Sequence, residues 1–295
     1  MAEAGIALAV GGVLVLLGFM NVVSAISPDG RRYLSAGRGE AVSMPFVLRW
    51  LLPAICKDSV TRWRWSTTLH LLALPPLVTV WLEPWIADSR LRVVGGLMVC
   101  GLSGIWRIHL RWPVLVDAAA MTWAVASAVA FQKGIPPLGV ALALVSGTIK
   151  ESGPVFAACY AWNPLALVAL VAPLARRLTA KIGDDLMGQP HVTHQPLTAS
   201  RVHHLGKWFD PKVMLLPWGA GVLAVLADDG LIVPMLVVTL TLAYGQTIIA
   251  TDTSRLYQWA APPVILAAIS VIPDKWAIAL LVAHLFNPWA GTAEV

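Results

Sequence analysis

The chain turns polar at Ser27–Pro53, SPDGRRYLSAGRGEAVSMPFVLRWLLP, a charged segment between its first two apolar runs. Within it, Pro28-Asp29-Gly30 is typical of a turn and predicts the end of the first helix. Pro45–Pro53 then mixes apolar residues with Arg49, which predicts an amphipathic helix lying at a membrane surface. Residues 27–66 are therefore interpreted as a first polar loop that carries an interfacial helix.

The composition outside this loop is that of a membrane protein. Of the 295 residues, 58% are hydrophobic and only 13% are charged, and the mean hydropathy is +0.73. Average soluble domains have about 45–50% apolar and about 25% charged residues. Because a membrane span needs about 20 apolar residues, the sequence predicts an all-α polytopic transmembrane helix bundle of about nine or ten spans. We expect a single membrane domain over residues 1–295 and a multi-pass protein of the cell membrane.

The charged and aromatic residues fit the same interpretation. The net charge is +5, and the basic residues lie in loops beside some of the fourteen tryptophans rather than in one continuous run. This pattern indicates contact with membrane lipids and their phosphates, and it argues against nucleic acid as a partner. The three cysteines are widely scattered and predict no disulfide framework.

Several predicted spans have clear limits. Apolar runs cover residues 4–26, 67–86, 114–131, 136–149 and 155–175, and a second polar loop with four histidines covers residues 176–212. The run 155–175 is interrupted by Trp162-Asn163-Pro164. It is either one span or a pair of short segments, and the two choices place everything after it on opposite membrane faces.

Asp29 and the arginines after it are the first candidates for chemistry. A carboxylate at the end of a span with cations nearby is placed as a general base facing an interfacial substrate would be, and the alternative is a plain Pro-Asp-Gly turn. Arg31, Arg32, Arg38 and Arg49 could hold a phosphate or diphosphate, because the guanidinium fork matches phosphate oxygens. The alternative for these arginines is attraction to anionic lipid headgroups.

Further charges lie at the ends of later spans. Asp117 is a second catalytic candidate, because a carboxylate at the start of an apolar run is costly unless it faces protein or water. Lys150-Glu151 is interpreted either as an embedded pair that orients a substrate phosphate or as an ordinary loop. Asp252 and Arg255, three residues apart, could hold a substrate group at the membrane surface.

Other catalytic patterns find little support. His191, His194, His203 and His204 invite a metal site, but their spacing matches known ligand patterns only loosely. No cofactor is therefore predicted with certainty, and a divalent metal is left open. The sequence has no GxSxG, P-loop, dinucleotide fingerprint or CxxC, which argues against several classes of soluble enzyme.

Four pieces, taken in order, resemble the GT-C class of membrane glycosyltransferases, which use polyprenyl-phosphate sugars as donors. They are Asp29-Gly30-Arg31-Arg32-Tyr33-Leu34 with Pro45–Pro53, then Pro113–Ala118 with Asp117, then Lys150-Glu151-Ser152-Gly153, and last Asp252-Thr253-Ser254-Arg255. The order and approximate spacing hold over most of the chain, so the set is more specific than any one piece.

The resemblance implies an inverting transfer of a sugar at the extracytoplasmic face. Asp29 would be the catalytic base or the acid that orients the acceptor, and Lys150 and Arg255 would contact the donor phosphate. The acceptor, a glycan, a lipid or a protein, is left open. For Asp29 and Arg255 to share one face, Trp162-Asn163-Pro164 must break the run 155–175, which would also bring the 176–212 loop beside Asp29.

Two other functions compete with sugar transfer. A transporter or flippase for an anionic, lipid-linked amphiphile could line its path with the same arginines and Lys150-Glu151, and pseudo-symmetric halves would favour it. A structural membrane subunit would need none of these charges. The positive-inside rule would place the first polar loop in the cytoplasm, opposite to the GT-C arrangement, unless its arginines are retained to bind phosphate.

Overall fold

A computed structural model describes residues 2–21, 25–183, 210, 214–249 and 253–287. Throughout these residues the regular structure is helical and contains no strand, which confirms the all-α class. The α-helices are α1 Ala2–Asn21, α2 Pro28–Gly37, α3 Leu51–Cys56, α4 Val60–Trp81, α5 Ser89–Met98, α6 Ile108–Arg111, α7 Asp117–Gln132, α8 Pro136–Ile149, α9 Gly153–Ala161, α10 Val171–Thr179, α11 Ile232–Ile249, α12 Thr253–Tyr257, α13 Ala261–Val271 and α14 Ala277–Leu285.

Most of the described helices are shorter than a membrane span of about 20 residues. Among the described residues, no unbroken helix combines the length and the apolar character needed to cross a membrane. Two pairs bent by more than 40° meet both criteria together, Ser89–Gly101 with Ser103–Arg111 and Arg255–Val271 with Asp274–Leu285. The predicted number of spans therefore stays a prediction.

Contacts divide the chain into two units. The terminal unit comprises Met1–Leu17, Leu72–Ile108 and Leu197–Val295, and the central unit comprises Gly18–Leu71 and His109–Pro196. The single membrane domain stays a prediction, and each unit is described separately.

The core of the central unit is the packing of α7, α8 and α9. The small residues of α7 let α8 come close, and two serines bridge the helices. The Ser127 hydroxyl donates to the Gly139 carbonyl and the Ser146 hydroxyl donates to the Ala120 carbonyl, each at 2.7 Å. The end of α8, and with it Lys150, is thereby held against the start of α7.

The predicted turn at Pro28-Asp29-Gly30 is wrong, because these residues begin α2. The Ser27 side chain accepts a hydrogen bond from the Gly30 amide at 3.0 Å, Pro28 occupies the first turn, and Asp29 follows it. A helix start uses the same residue types as a turn: a serine N-cap, a proline whose missing N–H costs nothing there, and an acid near the positive helix end.

The interfacial helix predicted over Pro45–Pro53 is also wrong. Phe46–Leu48 forms a single 3₁₀ turn, and α3 starts only at Leu51. Phe46, Val47, Leu48 and Arg49 are all buried. The pattern looked amphipathic because it mixes apolar residues with one arginine, yet both kinds turn inward.

The predicted break at Trp162-Asn163-Pro164 is confirmed. Helix α9 ends at Ala161, and the residue that caps it, Trp162, has a left-handed backbone (φ 48°). Asn163 then caps the following 3₁₀ turn, Pro164–Leu170, by accepting from the Leu165 amide. Arg176, in α10 beyond this turn, donates to the Val47 carbonyl, and the Gly183 amide donates to the Val42 carbonyl. The described start of the second polar loop thus contacts the first polar loop.

In the terminal unit, neutral polar side chains form hydrogen bonds with backbone groups where helices end irregularly. Gln258 accepts from the Gly104 amide at 2.6 Å and donates to the Pro217 carbonyl at 3.3 Å. The His284 ring donates from Nε2 to the Met98 carbonyl and accepts at Nδ1 from the Ala220 amide. These bonds satisfy backbone groups left without helical partners around the 3₁₀ segments Val99–Gly101 and Leu216–Leu226 and the π turn Ser103–Arg107.

Candidate active site

The site begins where α8 ends. Lys150 has an extended backbone (φ −149°, ψ 128°), so the side chains of Lys150 and Glu151 take different directions. The Gly153 amide donates to the Lys150 carbonyl and closes this connection before α9 begins. One short connection therefore supplies charges to two separate ion pairs.

The first pair joins Glu151 to Arg49 across 102 positions of sequence. Arg49 donates from Nε and from Nη2 to the two carboxylate oxygens, each at 2.7 Å. This is the two-pronged geometry in which guanidinium and carboxylate bind most strongly. The Arg49 side chain is 9% exposed and the Glu151 side chain 31%, so the pair has an open side at the carboxylate.

Arg49 is held by two aromatic rings. Its Nη1 donates to the Tyr33 hydroxyl at 2.8 Å, and its guanidinium carbon lies 5.5 Å from the centre of the Phe46 ring. Tyr33 and Phe46 pack edge to face, with ring centres 5.2 Å apart. Arg49 therefore has a fixed position, because both its donors and its flat face are engaged.

The same Phe46 ring brings in the start of α2. The guanidinium carbon of Arg32 lies 5.1 Å from its centre, and Arg32 Nη1 is 3.4 Å from Asp29 Oδ1. The Asp29 side chain is 25% exposed. Two arginines and their carboxylates thus gather around one aromatic ring; we call Asp29, Arg32, Phe46, Arg49 and Glu151 the arginine cluster.

The second ion pair lies deeper in the central unit. Lys150 Nζ contacts Asp117 Oδ1, and each side chain is only 2% exposed. Asp117 starts α7, where the helix dipole favours a negative charge. The His109 ring accepts from the Ala118 amide at 3.1 Å and secures the same helix start. This burial makes the pair a structural support for the connection that carries Glu151.

Electrostatics keep Glu151 ionised. Burial opposes its charge, but attraction to Arg49 and the hydrogen bonds from Arg49 outweigh burial and lower the pKa of the carboxyl below its ordinary value of 4.5. At neutral pH Glu151 is therefore a carboxylate beside the guanidinium group of Arg49.

The structure brings together six of the predicted site residues. Asp29, Arg32, Arg49 and Glu151 form the cluster, and Asp117 and Lys150 form the pair behind it. Arg31 lies on the exposed side of α2. Arg255 is buried in α12 of the terminal unit. Asp252 and the four histidines of the 191–204 segment lie outside the described residues.

Sequence reasoning named Tyr33 and Phe46 only as parts of a motif and did not assign them a role in the site. The signal was present in the spacing. Tyr33 lies four residues after Asp29, one helical turn along the same face, and Phe46 lies one 3₁₀ turn before Arg49. Within the described part of the chain, no three side chains able to bind a metal come together.

Comparison with protein families, with curated proteins and with solved structures finds no match to this chain.

Proposed function

We propose that the chain is a membrane glycosyltransferase that moves a sugar from a polyprenyl-phosphate donor to an acceptor, with inversion and at the extracytoplasmic face. One observation carries the proposal: in the central unit two arginines, Arg32 and Arg49, lie against the Phe46 ring, each with its carboxylate, Asp29 and Glu151, and these four residues come from two of the four motifs. A chance set of loop charges would not be expected to share one aromatic ring.

In the proposed reaction, Asp29, Arg32 and Arg49 each have a chemical role. Asp29 takes the proton of the acceptor hydroxyl, whose oxygen then bonds to the anomeric carbon of the sugar. The bond between that carbon and the phosphate oxygen breaks, and polyprenyl phosphate leaves with the electron pair. Arg32 and Arg49 stabilise the negative charge that develops on the phosphate. One bond forms, one breaks, and one proton moves to Asp29.

Glu151, Lys150 and Asp117 serve as positioning residues in this scheme. Glu151 holds the guanidinium of Arg49 through Nε and Nη2, while Tyr33 accepts from Nη1. Lys150, which the resemblance assigns to the donor phosphate, is too deeply buried against Asp117 to reach a substrate in this conformation. Its part is to hold the connection at the end of α8.

The membrane setting is part of the proposal. The apolar composition and the mean hydropathy support it. The break at Trp162-Asn163-Pro164 is compatible with it, because a broken run would put the second polar loop on the same membrane face as the first. Short, bent helices are tolerated at membrane depth where other protein segments satisfy their backbone groups.

Sugar transfer from labelled polyprenyl-phosphate sugars tests the proposal in membranes that contain the wild type or Asp29→Asn. We expect the variant to lose at least about a hundredfold in rate, the range for removal of a general base. Glu40→Gln is the matched control, because Glu40 also pairs with an arginine of the first polar loop but lies exposed and outside the cluster. Equal transfer by all three proteins would remove Asp29 from catalysis.

A transporter of anionic lipid-linked amphiphiles is the second candidate. The observation that favours it is the buried Asp117–Lys150 pair, since ionisable groups inside membrane proteins often mark a path for charged cargo. This function would be favoured over sugar transfer if the wild type moved a labelled polyprenyl phosphate across the bilayer of proteoliposomes and transferred no sugar.

A further inference from the structure

The amphipathic helix α10, Val171–Thr179, differs from the other helices of the central unit in how its faces are used. At about 100° per residue, Val171, Leu174 and Leu178 form one stripe. All three are exposed, and Leu178, at 87%, is the most exposed large apolar side chain in the described part of the chain. Such a stripe marks a surface that something else covers.

The opposite side of α10 is fixed to protein. Pro173 is buried, Arg176 Nε donates to the Val47 carbonyl at 3.2 Å, and just past the helix the Gly183 amide donates to the Val42 carbonyl at 3.1 Å. The orientation of α10 on the central unit is therefore set, and the apolar stripe points away from its packing face.

Charge along this segment changes in one direction. The 3₁₀ turn Pro164–Leu170 before α10 has no charged residue and exposes Leu165 and Val168. From Val171 to Gly183 there are three basic residues, Arg176, Arg177 and Lys181, and no acidic one. Arg177 and Lys181 are exposed. Asp184 and Asp185 come next in the sequence and lie outside the described residues.

This gradient identifies the occupant. A segment that leaves hydrocarbon and enters the headgroup layer is expected to be apolar first and basic afterwards, with its stripe in the acyl boundary. The helix dipole explains a cation in the last turn of α10, but it does not explain why the leucines beside that cation are exposed. A protein partner would not require the basic residues to gather at one end.

We propose that α10 is the interfacial helix of this protein and that it binds anionic phospholipid headgroups through Arg177 and Lys181, with Val171, Leu174 and Leu178 in the acyl boundary. The inference uses the membrane placement contained in the proposed function, but it does not depend on sugar transfer. It assigns the interfacial role to α10 instead of Pro45–Pro53, where Phe46, Val47, Leu48 and Leu52 are buried.

Depth-dependent quenching tests the position of the helix. The full chain carries a fluorophore at Leu178→Cys and is reconstituted in phosphatidylcholine with phosphatidylglycerol; the native cysteines Cys56, Cys100 and Cys159 are buried and react slowly. We expect quenching by a nitroxide near the headgroup and little quenching by aqueous iodide. A label at Glu40→Cys is the exposed polar comparison and should show stronger iodide quenching.

Lipid selectivity tests the basic residues. Arg177→Gln with Lys181→Gln should reduce the enrichment of phosphatidylglycerol over phosphatidylcholine around the protein by about fivefold for each charge removed, the effect of one cation near an anionic surface. Arg177→Lys with Lys181→Arg keeps both charges and should keep the enrichment.

Two results would overturn the proposal. Free access of iodide to the label at Leu178→Cys, with no effect of the lipid nitroxide, would place the stripe in water. Protection from both quenchers, with crosslinking of this position to another polypeptide, would assign the stripe to a protein partner. Asp29→Asn is analysed in parallel, so loss of sugar transfer with unchanged lipid contact would separate the two proposals.

Discussion

The two units bury polar groups in different ways. The central unit contains two ion pairs with buried members, Asp117 with Lys150 and Glu151 with Arg49, beside neutral groups such as Ser127 that bind backbone. In the terminal unit, Gln258 and His284 bind the backbone where helices break, and the ion pair Glu3–Arg92 is fully buried at neither side chain. In the ion pairs each charged side chain is satisfied by another side chain, whereas Gln258 and His284 are satisfied by backbone groups.

Neutral groups bonded to backbone and ion pairs differ in what they can offer a ligand. A neutral amide or imidazole bonded to backbone stabilises one conformation and has no charge to offer a ligand. An ion pair costs desolvation and gains little over an apolar pair, so the proposed function assigns a chemical purpose to one pair of the central unit and a supporting one to the buried Lys150–Asp117 pair. The partly open Glu151–Arg49 pair suits such a purpose best.

The largest expected effect concerns the buried ion pair. Lys150→Met alone should lower the free energy of unfolding by about 3–5 kcal/mol, because it leaves the Asp117 carboxylate buried without its cation. Asp117→Leu combined with Lys150→Met should recover most of this loss. Thermal unfolding in detergent, followed by circular dichroism, measures both variants. A double variant as unstable as the single one would mean that the charges stabilise more than each other.

The terminal unit should allow no such rescue. Gln258→Leu removes the partner of the Gly104 amide and of the Pro217 carbonyl, at a cost of about 1–3 kcal/mol for each buried group left unpaired. No second side-chain change can repair this, because both partners are backbone. Thr241→Val, on an exposed helix face, is the control for loss of a hydrogen bond without burial. Equal unfolding temperatures of Gln258→Leu and Thr241→Val would show that burial of the Gln258 hydrogen bonds adds nothing to the stability of the terminal unit.

Acid should remove the contribution of Glu151, an effect smaller than that of Gln258→Leu because the carboxylate is partly exposed. The folded-state pKa lies below the ordinary value of 4.5, so on acidification the unfolded chain binds the proton first. Stabilisation is therefore full above pH 4.5 and is lost as the pH falls through the lowered pKa. The difference in unfolding midpoint between wild type and Glu151→Gln should shrink over this range; a constant difference would show that the charge of Glu151 contributes nothing.

The smallest effect is expected at the exposed pair Arg38–Glu40. Its guanidinium and carboxylate meet at 2.5 Å and 3.2 Å, but both side chains are almost half exposed. Solvent and salt screen such pairs, so Glu40→Gln should leave the unfolding midpoint nearly unchanged at physiological salt. A shift as large as that of Glu151→Gln would remove burial as the factor that distinguishes the two pairs.

Much of the candidate site could be predicted from residue type. Asp29, Arg32, Arg49, Asp117, Lys150 and Glu151 stand out because charges are rare in so apolar a chain, and the break at Trp162-Asn163-Pro164 follows from proline chemistry. The start of α2 was misread because a serine N-cap with proline and aspartate also fits a turn. Pro45–Pro53 was misread because periodicity does not show which face meets lipid.

The sequence alone determined the helical class, the break after α9 and the set of charges that need partners, since these depend on composition and on local backbone chemistry. Only the tertiary structure decided which carboxylate meets which cation, that Phe46 and Tyr33 order the arginines, and that the exposed amphipathic stripe lies on α10. Partners 33 and 102 positions apart along the chain are chosen by the packing of α7, α8 and the first polar loop, which no local pattern encodes.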